Sequence, residues 1–343
     1  MTVFVSDRFN SVTDPKMPFL SAAIDPLEVQ QRFTQYLPIV ENAQLQKIQV
    51  IRHKPGRRCL IEYELLNNHG QTITLIGKIR AKGTDFNSYE LQKSLWQTGF
   101  ADDSADGISV PQPVGIIPEW QMWLQRKVQG AFAPGVGGAI ATQFLTQTNT
   151  IFLAKRIAEV AHKLHQANIP PRRSHTMSDE LRILNERIPL VMQQYPEWKK
   201  RLEKILAASN HLGENTPEQK HCGIHRDFYS DQVIINGSRL YLIDLDLYCE
   251  GNPAIDIGNF IAHIKEYSLR ILGNSEALHD WETALTERFI QLTSEEFKTS
   301  IEFYITLTLV RHIHISTQFL ERRLFTEALL NLCEQRLHIR NAS

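Results

Sequence analysis

Hydrophobic residues gather early in the chain into three short runs rich in Ile, Val, Leu and Tyr: Lys47–His53 (KIQVIRH), Arg58–Leu66 (RCLIEYELL) and Thr72–Arg80 (TITLIGKIR). Short β-prone runs bounded by turn formers predict strands. Lys54-Pro55-Gly56-Arg57 joins the first two and Asn67-Asn68-His69-Gly70 the second pair, so the three form an antiparallel meander. Next, Leu91, Leu95 and Trp96 fall at helical spacing, with Asp85 placed to cap the helix and Gly99 to stop it. Two further strand-like pieces, Ile108 to Ile117 and Trp120 to Val128, meet at Pro118-Glu119.

Beyond Thr142 the period changes. IFLAKRIAEVAHKLHQANI sets Phe152, Ile157, Val160, Ala161 and Leu164 on one side of a helix. Further helical patterns cover Ser178 to Gln194, Trp198 to Ser209, Glu276 to Leu292 and Glu295 to Leu332. The only strand-rich island among them runs from Val233 to Leu247. The expectation is an α+β chain of two lobes: residues 1–126, an antiparallel sheet with one helix, and residues 127–343, mainly helical.

Composition narrows the functional classes. Lys and Arg number 37 against 38 Asp and Glu, a formal charge of -1, so no global field favours nucleic acid or an acidic membrane surface. Cys59, Cys222, Cys249 and Cys333 are scattered without a C-x-x-C pair, which argues against a zinc ribbon or disulfide scaffold and fits reduced thiols in a cytoplasm. The first 20 residues carry Asp7 and Asp14 and do not read as a secretory signal. The uncharged stretch from Val128 to Ala154 is too broken by Gly and Pro to span a bilayer. His162 and His165, and His312 and His314, lack a third ligand or an H-E-x-x-H frame and read as core or surface histidines.

Reactive side chains are densest in His225-Arg226-Asp227-Phe228-Tyr229-Ser230-Asp231-Gln232, followed by VII, the turn Asn236-Gly237, and a second apolar run ending in Ile243-Asp244-Leu245-Asp246. A hairpin across Asn236-Gly237 brings Asp227 and Asp244 to one cleft. Two carboxylates so placed suit phosphoryl transfer, one receiving the proton of an attacking hydroxyl and the other holding Mg²⁺, with the Gln232 amide oxygen available to complete the metal shell.

The ordered set H-x-D-x-x-x-x-amide, hairpin and I-D-x-D resembles the catalytic and metal-binding segments of the aminoglycoside phosphotransferase and choline kinase type enzymes, which share the protein-kinase-like fold. Gly251-Asn252-Pro253-Ala254-Ile255-Asp256 is similar to that family's G-[DN]-P-x-x-D segment. The resemblance covers about Ile48 to Ile264. It implies an antiparallel-sheet N-lobe, a mainly helical C-lobe, ATP and Mg²⁺ as cofactors, and a small-molecule hydroxyl as acceptor. Asp227 would be the catalytic base, Asp244 the principal Mg²⁺ ligand and Gln232 a second one. His225 would shape the loop, and Asp256 would tie it to the following helix.

In the N-lobe, Lys78 would contact the nucleotide phosphates, with Glu90 as its partner; Arg80 and Lys82 lie close by in sequence. The Lys54–Arg58 turn would cover the phosphates in place of a glycine-rich loop, and Gln125–Gly130 would be the adenine-binding hinge. Gln232 departs from the family's Asn: one added methylene moves the amide oxygen by about a bond length, against the near-ideal ~2.1 Å geometry Mg²⁺ demands. Either the loop compensates or metal binding weakens. That departure and the missing G-x-G-x-x-G motivate the alternative, a nucleotide-binding regulatory module without turnover. Asp246 stands open between second metal ligand, acceptor contact and solvent-facing residue. Acidic side chains such as Asp231, Glu250 and Glu266 would suit a cationic acceptor.

Overall fold

The computed structural model describes residues 3–132 and 150–339; most of the Val128–Ala154 stretch lies outside the described residues. By its contacts the chain divides into two units, Met1–Gly130 with Asn236–Leu245, and Ala131–Ile235 with Asp246–Ser343.

The first unit is built on a six-stranded sheet. Its strands are β1 (Phe4–Ser6), β2 (Gln44–Lys54), β3 (Arg58–Leu66), β4 (Thr72–Arg80), β6 (Pro113–Ile117) and β7 (Met122–Arg126), in the order β1-β2-β3-β4-β7-β6. β3 and β4 occupy the residues the pattern predicts, and β2 extends its run at both ends. One face is covered by α1 (Leu20–Ala23) and α2 (Pro26–Tyr36), which the hydrophobic pattern does not announce. α2 starts where Asp25 accepts from the Leu27 and Glu28 amides and Pro26 takes the first helical position, where no amide is needed. It buries Val29 and Phe33, the latter edge-on to Tyr63 at 4.9 Å, and the Tyr63 hydroxyl donates to the Ala23 carbonyl at 2.8 Å. α3 (Phe86–Gln97) is capped by Asp85, as expected.

One expectation fails here. Ile108 to Ile117 is not one strand: β5 (Ile108–Ser109) leaves the main sheet and pairs in parallel with β11 (Arg239–Leu242), while β6 joins β7. Pro111 and Pro113 lie at the break, and neither has an amide to donate to a ladder.

The second unit contains α4 (Thr150–His165), α5 (Met177–Gln194), α6 (Lys199–Glu214), α7 (Ala254–Leu272), α8 (His279–Leu292), α9 (Phe297–Gln318), α10 (Leu320–Arg323) and α11 (Thr326–Arg336). Its strands are short: β8 (Ala131–Phe132) pairs antiparallel with β10 (Val233–Asn236), and β9 (Cys222–Ile224) with β12 (Cys249–Gly251). The sequence reading does not mark α7, in which nearly every residue from Ala254 to Ser268 is buried. The predicted helix over Glu295 to Leu332 is three helices, interrupted where Phe319 turns extended at φ -121°, ψ 126°. No described helix is long and apolar enough to cross a membrane. All four cysteines are free, and burial pushes the thiols of Cys59 and Cys222 up to about 12, which keeps them protonated and unreactive.

Candidate active site

β9 delivers the chain directly into His225, Arg226 and Asp227. The strand can pack this tightly only because residue 223 is glycine: a Cβ there would fall on the hydroxyl of Tyr248, which itself donates to the Ile169 carbonyl at 2.8 Å. Past Ile224 the backbone leaves regular structure, and Arg226 stands at φ +71°, a left-handed conformation that costs a side-chain-bearing residue on the order of 1–2 kcal/mol.

The strain is held by α7. Asp256, fully buried, accepts from the His225 amide at 2.9 Å, from the Arg226 amide at 2.7 Å, and lies 2.8 Å from the His165 ring nitrogen of α4. One turn further along α7, the Asn259 amide donates to the Phe228 carbonyl at 2.9 Å. The loop is therefore clamped before and after Asp227 by two side chains spaced three apart on one helix face. Below it, Phe228 packs against Phe260 at 5.0 Å and Phe260 stacks on Trp281 at 5.7 Å. Asp256 thus has the loop-tying role the motif implies, whereas His165, read from sequence as a core or surface histidine, is part of the clamp.

Asp227 itself is half-buried on the wall of a cavity of about 530 Å³ within the second unit. Around it stand Arg226, Arg311 of α9, Arg187 of α5 and Arg322 of α10, with Tyr229 stacked on His263 at 4.4 Å. Burial and the nearby Arg311 and Arg322 charges depress His263 to about 3, so this ring is neutral. Arg311 donates to the Asn259 side-chain oxygen at 2.5 Å and pairs with Glu180 at 3.4 Å; Arg226 approaches the same Glu180 at 4.0 Å. Burial opposes charge on Glu180, but Arg311, His175 and Arg226 together hold it down at about 2. Sequence reasoning missed Glu180, Arg311 and Asn259. Only Asn259 left a signal, its three-residue offset from Asp256.

Gln232 closes a one-turn 3-10 helix, Ser230–Gln232, and is 4 % exposed; its backbone N–H donates to the Tyr229 carbonyl at 2.9 Å. Asp244 belongs to the first unit, half-buried just after β11 and at φ +57°. Asp246 is half-buried, and its carbonyl accepts from Arg173 at 2.5 Å.

In the sheet, Lys78 lies opposite Leu60 and Trp123, with its ammonium 4.5 Å from the centre of the Trp123 ring. Glu90 is exposed on α3 and makes no ion pair among the described residues; the inward-facing polar residue of that helix is Gln92, which donates to the Pro111 carbonyl at 2.7 Å and to Gln125 at 3.2 Å. The structure therefore does not bring Lys78 and Glu90 together. The turn after β2 is fixed by Asp14, which accepts from the Gly56 amide at 2.7 Å and lies 2.9 Å from the His53 ring. Its cations crowd one another: Arg58 and Arg52, with burial and Arg57, lower the Lys54 ammonium from its ordinary range. At the other end of the sheet, Lys127 donates from its backbone to the Thr74 carbonyl at 2.8 Å and pairs with Glu62 at 2.6 Å.

The profile of the phosphotransferase enzyme family matches residues 100–285, more than half of the chain and all of the loop, clamp and Asp256 segments. The chain belongs to the phosphotransferase enzyme family. No curated protein sequence matches it. Among solved structures, this phosphotransferase is similar to a choline/ethanolamine kinase family protein from Mesorhizobium loti, at 12% identity and a TM-score of 0.55 over 90% of this chain and 94% of that one. It is also similar to a choline kinase from Cryptosporidium parvum, at 10% identity and 0.55 over 91% and 95%. A third similar structure is an amicoumacin kinase solved with AMP-PNP, Ca²⁺ and its ligand, at 13% identity and 0.57 over 93% and 96%. The likeness is one of fold: the phosphotransferase has the kinase-like α+β architecture, with a sheet-based first unit and a helical second one.

Proposed function

We propose that this phosphotransferase moves the γ-phosphoryl group of ATP to a hydroxyl of a small molecule, with Asp227 as the catalytic base. The observation that carries the reading is the double clamp: Asp256 and Asn259 fix the backbone on both sides of a carboxylate that faces a cavity, the arrangement expected of a base that must meet an incoming hydroxyl within hydrogen-bond reach. The acceptor oxygen bonds to the γ-phosphorus as the bond from that phosphorus to the β–γ bridging oxygen breaks. The hydroxyl proton passes to Asp227, and ADP leaves with the bridging oxygen.

Asp244 and Gln232 fit Mg²⁺ in kind, as a carboxylate and a neutral amide oxygen, both hard donors, and they are the residues we assign to hold it. The ion, when bound, neutralises charge on the phosphate oxygens. Lys78 is assigned to the nucleotide phosphates, and the Arg52, Lys54, Arg57 and Arg58 turn adds a positive lid above them. Glu90, exposed as it is, orders the lysine only if nucleotide binding draws α3 and β4 together.

The test is steady-state transfer from ATP with a panel of amino alcohols, sugars, hydroxy acids and aminoglycosides. Asp227→Asn is expected to lower kcat by about 10²–10⁴-fold while leaving the melting temperature and nucleotide affinity in place. Asp244→Ala is expected to abolish turnover and to weaken Mg²⁺-ATP binding more than Asp227→Asn does. Full activity in either variant overturns the assignment.

A further inference from the structure

The walls of the Asp227 cavity carry more positive than negative charge that is open to a ligand. Four carboxylates line it, but Glu186 is engaged by Arg182 at 3.1 Å and Glu266 by Arg270 at 2.8 Å. That leaves Asp227 and Asp231 facing Arg187, Arg226, Arg311 and Arg322. Of these, Arg226 and Arg311 share the single buried carboxylate of Glu180. Arg187 and Arg322 have no carboxylate partner among the described residues; Arg322 rests on the face of Phe319 at 5.4 Å. His263 is stacked on Tyr229, and Asp231 makes no ion pair with Arg322 among the described residues. Guanidinium groups left without carboxylates around a concave site form a receptor for carboxylate or phosphate, which their planar fork binds in bidentate fashion.

We propose that the acceptor carries an anionic group beside its hydroxyl, held by Arg322 and Arg187 while Asp227 meets the hydroxyl. This rests on the phosphotransferase reading above and narrows an acceptor that the sequence leaves open, since the acidic residues that would suit a cation do not dominate the cavity. Glu266 is neutralised by Arg270, and Glu250 does not line this cavity. The remaining walls, Ile183, Ile315 and Phe319 with the Tyr229–His263 stack, suit a short carbon skeleton between the two polar ends. Carboxylate and phosphate share this chemistry.

The experiment uses the full chain with Mg²⁺ and matched acceptors that differ in charge: glycerate against glycerol, ribose 5-phosphate against ribose, and choline as a cation. Binding is read by thermal shift in the presence of Mg-ADP, which fills the nucleotide site, and transfer by ADP release from ATP. The expected result is that the anionic member of at least one pair binds, and is turned over with a KM at least about tenfold below its neutral partner. Arg322→Gln and Arg187→Gln each raise that KM about tenfold, the scale of one lost charge-assisted contact, without changing the KM for ATP. Which pair responds separates carboxylate from phosphate.

Transfer to choline or to the neutral members with equal or greater efficiency overturns the anionic acceptor and leaves the phosphotransferase intact. Arginine-dependent binding of an anion with no transfer to any acceptor sustains the anionic site and overturns the transfer reading. An anion preference that survives both arginine substitutions overturns the assignment to these residues, and the absence of both anion binding and transfer overturns both readings.

Discussion

The two sides of Asp227 differ in what meets them: hydrogen bonds to the loop backbone on one, side-chain charge on the other. On the α7 side the amides of His225 and Arg226 and the carbonyl of Phe228 all have partners, and Asp256 gathers three contacts in a fully buried position. On the cavity side Arg187 and Arg322 have no carboxylate and Asp231 has no ion pair among the described residues. A buried hydrogen bond left unmade costs about 1–3 kcal/mol, so unpaired charge persists where water now, and a ligand later, can meet it. Backbone hydrogen bonds to two α7 side chains fix the loop on one side, and guanidinium groups without carboxylate partners line the cavity on the other.

The comparison breaks first if the clamp proves dispensable. Asp256→Ala strips acceptors from two backbone amides and from His165 at once; the expected cost is about 3–5 kcal/mol in urea denaturation, with turnover lost. Asn259→Ala, which removes one contact to the loop and the Arg311 partner, is expected to cost about 1–2 kcal/mol and to lower kcat more than it raises either KM. A clamp variant of normal stability and activity would place the base's support elsewhere.

Gly223→Ala probes how closely β9 must approach Tyr248 to aim the loop. The added methyl collides with a hydroxyl already engaged by Ile169, and the expected penalty is about 1–3 kcal/mol, readable as a fall in melting temperature. Tyr248→Phe in the same background should recover little of it, because the ring carbon Cζ would still stand 2.4 Å from the added Cβ.

Two buried glutamates of the second unit sharpen the contrast through pH. Glu180, 3 % exposed, is held down at about 2 by Arg311, His175 and Arg226 against the cost of its burial. Its folded value lies below the ordinary 4.5, so its stabilisation, about 3 kcal/mol, is complete above pH 4.5 and is lost as pH falls toward 2. Glu282, 5 % exposed, is pushed up to about 7 by burial, with Lys265 pulling the other way. Its sign is opposite: the protonated form is favoured by folding, so stability of similar size is present below pH 4.5 and declines as pH rises toward 7. Urea denaturation between pH 2 and 8 should show both limbs, Glu180→Gln reducing the acidic one, to which Asp179, also held down at about 2, contributes as well, and Glu282→Gln reducing the other.

The meander and the segment matching the family's motif were legible for the same reason: each is specified locally. Strands β3 and β4 declare themselves through side-chain type between turn formers, and Asp227, Gln232 and Asp256 through spacing along one stretch of chain. What escaped notice was non-local. Asp256 on α7 meets amides 30 and 31 residues away; Glu180 meets an arginine 131 residues away; and Ile108–Ser109 leaves the main sheet for a strand far later in sequence. Glu90 lies on the helix after Lys78, as the sequence implies, and is exposed there.

The sequence by itself determined the class of fold, the family and the loop to which we assign the base, because backbone propensity and motif spacing are properties of neighbours along the chain. Which guanidinium groups are consumed by carboxylates and which are left to meet a ligand was decided only by tertiary structure. Net charge near zero conceals that allocation: charges cancel over the whole molecule while their pairing, and so the sign of each cavity, depends on which side chains folding brings within a few ångströms.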